Sequence, residues 1–277
     1  MKIMLRGVRG SIPTSGPETD VYGGNTSNTL VFEDGWLLVL DGGSGLQQFT
    51  NDDKHGVKRI DVLLTHLHLD HIQGLGFFKA LFEPGLEVHI YGPASSSNTL
   101  HSRLSKYLSP PLFPVRIRDL PCNLTLHELD NSSFDIGPFK INSDYVIHSG
   151  PTVGFRIESK GAVFTYIPDH EPALGPAGMI KDVKWISGID LARNADVLLH
   201  DAQYTSAEYK QRLGWGHSSM MDALQFAAIA GVKRLLLGHH DPSHTDTKLE
   251  AMLAEVKRKS EYPFPFELAK EGMVIEL

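Results

Sequence analysis

Apolar residues in this chain fall in short runs, broken at frequent intervals by Gly, Pro and Asp. Residues 1–8, 28–33 and 36–41 are strand-length runs rich in aliphatic and β-branched side chains. Glu33-Asp34-Gly35 reads as the turn joining the second to the third. Past Asp41-Gly42-Gly43-Ser44-Gly45, positions 45–52 take a helix-like spacing. Ile60 to Thr65 reads as a strand buried on both faces, and 86–91 as another. Between them a helix is expected to begin near His71 and to carry Phe77, Phe78 and Leu81 inward.

The middle of the chain is Ser- and Pro-rich, with a short helix expected at 97–108 and an ordered loop after it. Strands follow at 124–128, 139–147, 152–159 and 162–167, and 170–188 is loop-like. The C-terminal third alternates a strand at 196–200, helical patterns at 205–213 and 218–230, a strand at 232–238, a helix at 246–259 and a closing strand at 272–276. No fixed-period repeat, low-complexity tract or linker interrupts this order. It predicts an α+β chain, one domain over residues 1–277, whose strands form two sheets covered by helices.

Composition narrows the partners. The 277 residues are 41% hydrophobic and 21% charged, an ordinary globular balance. The formal charge is −7 and basic residues form no stripe, so tRNA or DNA is not an expected partner. No apolar stretch is long enough for a spanning helix, and the N-terminus enters a strand without a leader-like region. A cytoplasmic protein is the expectation. The single cysteine, Cys122, excludes an intramolecular disulfide and an intrachain thiolate metal cluster. Fourteen histidines against one cysteine direct any metal site toward nitrogen and oxygen ligands.

The chemistry concentrates in Leu64-Thr65-His66-Leu67-His68-Leu69-Asp70-His71. On a helix His66 and His68 would point about 200° apart, whereas in an extended segment they share a side. Asp70 keeps the alternation and His71 opens the next helix, which offers His66/His68 to one ion and Asp70/His71 to a neighbour. Two such pairs need further ligands from other strand ends. His148, Asp169 and the His239-His240 pair each close an apolar run. Taken singly these are as readily turn or capping residues. Imidazole and carboxylate together suit Zn²⁺, Mn²⁺ or Fe²⁺ better than Ca²⁺.

The ordered set Asp41, His66-x-His68-x-Asp70-His71, His148, Asp169 and His239 closely resembles the five motifs of the metallo-β-lactamase superfamily. The resemblance spans nearly the whole chain. It implies a four-layer αββα sandwich with a two-metal site on the loops at one edge. Carried over, it gives His66, His68 and His148 to one divalent ion and Asp70, His71 and His239 to the other. Asp169 bridges them beside a water or hydroxide, and Asp41 hydrogen-bonds to the ligands from outside. His239, directly after Gly238, is preferred to His240. The metal charge outweighs that of the carboxylates and hydroxide, which favours an anionic substrate. An aspartate bridge is the form found in phosphodiesterases and thioesterases of the superfamily, so β-lactam hydrolysis is not expected.

Gly214-Trp215-Gly216-His217-Ser218-Ser219 and Leu199-His200-Asp201-Ala202-Gln203-Tyr204 are similar to segments of the ribonuclease Z-like branch. There a histidine pairs with an acidic residue from an earlier strand end. His217 and Asp201 occupy those positions, with Asp where Glu is common and Ser219 where Thr is usual. Such a pair can hold a protonated imidazole against a phosphoryl oxygen or leaving group. The alternative is that His217 caps the helix at 218–230 and Asp201 only turns the chain. A tRNA-gripping arm is commonly inserted between the third and fourth metal motifs, yet His148 and Asp169 are separated here by two short strands. The resemblance therefore implies a hydrolase of small cyclic nucleotide or cyclic ribose phosphodiesters, with Asp70, His217 and Asp201 in catalysis. A thioesterase, a lactonase or a non-catalytic metal-binding protein are the alternatives.

Weaker expectations concern the surroundings. Arg9, Asn25, Thr26 and Ser27 could approach a phosphate or merely shape turns. Phe113 and Trp215 could wall a pocket or fill the core. His55, His89, His101, His127 and His244 are read as structural, His200 as packing beneath the site, and His170 is left open. A homodimer lending loop 92–121 to a neighbouring site is compatible with the sequence.

Overall fold

The computed structural model describes residues 1–54, 56–57, 59–172, 178–259 and 261–277. His55 and part of the loop expected at 170–188 lie outside the described residues. The N-terminal half gives β1 (Lys2–Gly7), β2 (Asn28–Glu33), β3 (Trp36–Leu40), α1 (Asn51–Lys54), β4 (Arg59–Leu63), α2 (Leu69–Ile72), β5 (Glu87–Pro93), α3 (Leu100–Tyr107) and β6 (Asn123–Leu129). The C-terminal half gives β7 (Ser132–Ile136), β8 (Phe139–Tyr145), β9 (Val153–Ser159), β10 (Ala162–Ile167), α4 (Ile189–Ala192), β11 (Val197–Asp201), α5 (Ser206–Tyr209), α6 (Met220–Ala230), β12 (Leu235–Gly238), α7 (Asp246–Lys259), β13 (Phe266–Leu268) and β14 (Val274–Glu276).

Two seven-stranded sheets result, ordered β14-β1-β2-β3-β4-β5-β6 and β13-β12-β11-β10-β9-β8-β7. Both repeat one scheme. An antiparallel half passes into a parallel half, β3 to β6 in the first sheet and β10 to β13 in the second. Strand pleat explains the layering, since alternate side chains leave opposite faces. On β3, Leu38 and Leu40 turn toward the second sheet and meet a core with Phe139, Phe155, Phe164 and Tyr166. Leu37 and Val39 turn the other way and pack with Leu46, Phe78, Leu81 and Leu104. In the second sheet Leu236 faces inward, while Leu235 and Leu237 pack beneath Leu224, Phe226 and Ala227 of α6 and Leu249 of α7. These layers form the four-layer αββα sandwich, and all three cores are apolar.

Several local expectations need correction. The helix expected to start near His71 begins at Leu69 and lasts four residues. Short 3-10 turns at Leu75–Phe77 and Lys79–Phe82 follow. Phe78 and Leu81 are buried as expected, but Phe77 is 69% exposed, because the change to 3-10 pitch rotates it off the helical face. The helix expected at 205–213 is only α5, and the strand expected at 232–238 shortens to β12. The strands β7 and β13 were not expected. Both are sheet-edge strands, and β7 (Ser-Ser-Phe-Asp-Ile) has too few apolar residues to stand out.

Candidate metal centre

The strands β3, β4, β10, β11 and β12 end at one edge of the sandwich, where the chain leaves each for a loop. Asp41 follows β3 and His66 follows β4 across Leu64 and Thr65. Asp169 follows β10, Asp201 closes β11 and His239 follows β12. His148 arrives from the end of β8. His68 precedes α2, which carries Asp70 and His71 in its first turn. Asp41 and His239 both have left-handed backbones, with φ of 56° and 55°. This is an uncommon state for residues with a Cβ, though Asp and His tolerate it better than most. It turns each side chain off its strand direction and into the site.

These side chains converge in two groups. His66, His68 and His148 form one, and Asp70, His71, Asp169 and His239 the other, each offering ligand atoms within 4.8 Å of one another. Asp169 lies between them. Its Oδ1 is 3.1 Å from His239 Nε2, 3.7 Å from His148 Nε2 and 3.9 Å from His66 Nε2, and its Oδ2 is 3.0 Å from His71 Nε2. Asp70 Oδ2 is 3.3 Å from His239 Nε2 and 3.4 Å from His71 Nε2. Yet His66 Nε2, His71 Nε2 and Asp169 Oδ2 are buried with no hydrogen-bond partner. Buried polar atoms are ordinarily satisfied. Three such atoms left without a hydrogen bond in one cluster of imidazoles and carboxylates fit a shared cation, so the donor set suits divalent metal ions.

Charge reinforces this. Burial pushes the His71 and His239 imidazoles down, but the Asp169 carboxylate and its neighbours outweigh it, holding His71 well above its usual range and His239 at about 10. Burial pushes Asp70 and Asp169 up, and the same histidines hold both well below the carboxylate range. His66 and His148 respond mainly to burial, which lowers His66 far and His148 to about 4. The cluster is built around buried negative charge that needs a cation, be it a proton or a metal.

The surrounding bonds fix tautomers and ring planes. Asp41 accepts from His71 Nδ1 at 2.8 Å, from the Thr65 amide at 2.7 Å and from the Tyr166 hydroxyl at 3.1 Å. With its Nδ1 so engaged, His71 presents Nε2 to the cluster. His148 Nδ1 donates to the Gly216 carbonyl at 2.7 Å, leaving its Nε2 inward. The Ser11 amide donates to Asp70 Oδ2 at 2.7 Å. His240 is turned away and donates from Nε2 to the Ala269 carbonyl. His239 is therefore the member of this pair that reaches the cluster.

His217 stands beside the cluster, its ring stacked on that of His239 at 4.9 Å. Its Nδ1 is 2.7 Å from Asp201 Oδ2. Asp201, fully buried, also accepts from the amides of His170, Gln203 and Ser218. The helix after His217 is capped by Ser219, whose hydroxyl accepts from the Asp222 amide in a reciprocal capping box. His217 is thus free of capping duty. Glu171 was missed by sequence reasoning. It is buried and accepts from the Tyr209 hydroxyl and from the amides of Gly214 and Gly216, which ties down the loop carrying His217. Its place two residues after Asp169 was the available signal.

The weaker expectations resolve toward structure. Arg9 is fully buried and donates to the carbonyls of Gly23, Asp241 and His244, which uses its guanidinium inside the protein. Asn25 bonds Ser44 and Glu271, and Thr26 bonds Ser44 and Gln73. Thr26 and Ser27 are both buried. Phe113 packs in the core against α3, whereas Trp215 is exposed and walls a groove beside His217. His200 and His170 pair beneath the site at 2.9 Å, and burial keeps both below the usual imidazole range. His89 stacks on His127, His101 is exposed and His244 bonds Glu208.

With this geometry in place, the comparisons with known proteins are specific. Residues 37–240 match the β-lactamase superfamily domain family, a span running from β3 through His239. The chain belongs to that superfamily. It is 27% identical over 289 residues to ribonuclease Z of Myxococcus xanthus, covering 91% of this chain and 92% of the relative. It is 29% identical over 251 residues to ribonuclease Z of Streptococcus gordonii, covering 73% and 78%. Among solved structures, the metallo-β-lactamase fold protein YhfI of Bacillus subtilis superposes with a TM-score of 0.69 at 21% identity, covering 99% of this chain and 98% of that one. The fold is that of a metallo-β-lactamase, with a ribonuclease Z-like relationship in sequence, and the class these findings define is a metal-dependent hydrolase.

Proposed function

We propose that the chain hydrolyses small phosphodiesters with two divalent ions. His66, His68 and His148 would hold one, Asp70, His71 and His239 the other, and Asp169 would lie between them. The observation that carries this reading is one set of side chains meeting at one edge, five histidines and Asp70 grouped around Asp169, with the His217–Asp201 pair directly beside them. Zinc, manganese or iron bound there would neutralise phosphoryl oxygens and acidify a water.

The chain's own groups supply the rest. Asp41 and the Gly216 carbonyl orient His71 and His148, so the substrate meets a preformed site. In hydrolysis the oxygen of water forms the new bond to phosphorus, and the bond from phosphorus to the leaving oxygen breaks. The leaving oxygen takes a proton, for which His217 is placed through the ring nitrogen not bonded to Asp201. Asp201 keeps that ring oriented and balances its charge.

Ribonuclease Z acts on RNA by name, and the similar curated relatives carry that name, the two described above among them. Two observations favour a smaller substrate. The chain passes from β8 straight into the β9–β10 hairpin, without an inserted arm before Asp169. The net charge is −7, and a polyanion gains little from such a surface. The test is a turnover screen of metal-loaded protein with bis(4-nitrophenyl) phosphate, 2′,3′- and 3′,5′-cyclic nucleotides, cyclic ribose phosphates, a precursor tRNA, thioesters and lactones. Small diesters should be cleaved, and Asp70→Ala or His71→Ala should lower their turnover at least ~10³-fold. Thioester or lactone turnover far above diester turnover would overturn the reaction. Preferential cleavage of the precursor tRNA would overturn the substrate class.

A further inference from the structure

A groove opens on the His217 side of the cluster, lined by Gln203, Tyr204, Arg212, Trp215 and His217 among others, and by Asp241, whose carboxylate accepts from the Ser243 amide and hydroxyl. Its volume is about 480 Å³, room for a sugar and a phosphate. Three features mark it as more than a surface fold. The Arg212 guanidinium lies over the face of Tyr204 at 4.9 Å, and no carboxylate pairs with it among the described residues. Tyr204 in turn meets the His217 ring edge-on at 5.9 Å, so the cation is one ring away from the proton donor. Gln203 is 3% exposed, yet its side-chain Oε1 has no hydrogen-bond partner.

A half-buried arginine is usually matched by a carboxylate, and a buried amide is usually satisfied. Arg212 is left without a carboxylate in this groove, and the unpaired Gln203 oxygen lies buried in its wall. Stacking on Tyr204 fixes the guanidinium plane, which readies its paired N–H groups for the two oxygens of an anion. On the opposite side of the cluster the lining changes to Leu69, Ile72, Leu112 and Pro151, with two cations of α3, Lys106 and Arg103, the latter donating to the Pro93 carbonyl. The two sides of the site are therefore chemically unlike.

Resting on the phosphodiesterase reading, we propose that the His217-side groove is a leaving-group subsite for a sugar that carries a second phosphate. Arg212 binds that phosphate, while Trp215 forms the outer wall. The diester bond is cut so that the phosphorylated sugar departs with the proton from His217. Arg212 is then the residue that sets specificity for substrates with a second anionic group.

Calorimetric titration of metal-loaded protein with adenosine 3′,5′-bisphosphate and with adenosine 5′-monophosphate tests this, alongside bis(4-nitrophenyl) phosphate turnover of the wild type. The bisphosphate should bind about tenfold or more tighter, the scale of one charge-assisted contact. Arg212→Gln should bring the ratio of the two affinities close to one, and Arg212→Lys should restore part of it. Lys106→Gln, which removes a cation across the site, should leave the ratio in place. A wild-type ratio near one, or a ratio that survives Arg212→Gln, overturns the proposal. A ratio that depends on Arg212 in a protein that cleaves no diester supports the anion subsite and overturns the phosphodiesterase reading. Diester cleavage with no ratio does the reverse.

Discussion

Two residues apart, His217 and Ser219 have separate tasks. Ser219 caps α6, and His217 faces the metal cluster with Asp201 behind it. If His217 delivers the proton, its value depends on the leaving group. His217→Ala should lower kcat about 10²–10⁴-fold for a diester with an alkoxide leaving group. The loss should be far smaller for bis(4-nitrophenyl) phosphate, whose leaving group departs unprotonated. Equal losses on both substrates, measured by steady-state kinetics, would remove His217 from that role. At this scale the sequence was most readable where residue types cluster: His66-x-His68-x-Asp70-His71 needed only strand alternation to be read as two pairs. Arg9 and Glu171 were not readable. Their duties depend on backbone carbonyls and amides that come from residues distant in sequence, and no side-chain pattern records those.

The elements at the active edge are short, and loops do much of the positioning. Gly216 illustrates this. Its φ is 86°, its carbonyl accepts from His148, its amide donates to Glu171, and a Cβ there would lie 2.5 Å from His148 Nδ1. Gly216→Ala would both strain the backbone and push the His148 ring out of line. Metal retention or turnover should fall about 10–100-fold, as for other groups that orient a metal-bound histidine. Dialysis against chelator followed by metal analysis checks it, and wild-type retention with wild-type turnover would contradict it. Buried central strands were legible from their apolar runs, whereas the edge strands β7 and β13 were not. One face of an edge strand is solvated and one side has no partner, so the burial that marks β3 or β12 is missing from the sequence.

At the scale of the whole molecule, the sheets share one scheme and bring the ends of their parallel strands to a common edge. That arrangement was readable in outline from strand ends that finish in ligand-type residues. The pairing of the sheets, which puts Asp41 after β3 and His71 on α2 against Tyr166 of β10 and Asp169 after it, was not, because nothing local specifies it. Bringing these carboxylates together creates a demand for positive charge. Without metal, protons would meet it, since the carboxylates raise the His71 and His239 imidazoles. A ligating imidazole must be neutral, so metal uptake near neutral pH should release protons, and the apparent affinity should weaken as pH falls. Calorimetric titration in two buffers of different ionisation enthalpy measures the release, and heats independent of buffer would contradict it.

The central claim is that the two groups of ligands act together as one dinuclear hydrolytic site. Chelator-stripped protein titrated with Zn²⁺ or Mn²⁺, while nitrophenolate release from bis(4-nitrophenyl) phosphate is followed, tests this most directly. Activity is predicted to be absent without metal, to rise with added ions and to level off at two equivalents per chain. Turnover that persists in the stripped protein, that levels off at one equivalent, or that never appears would contradict the account.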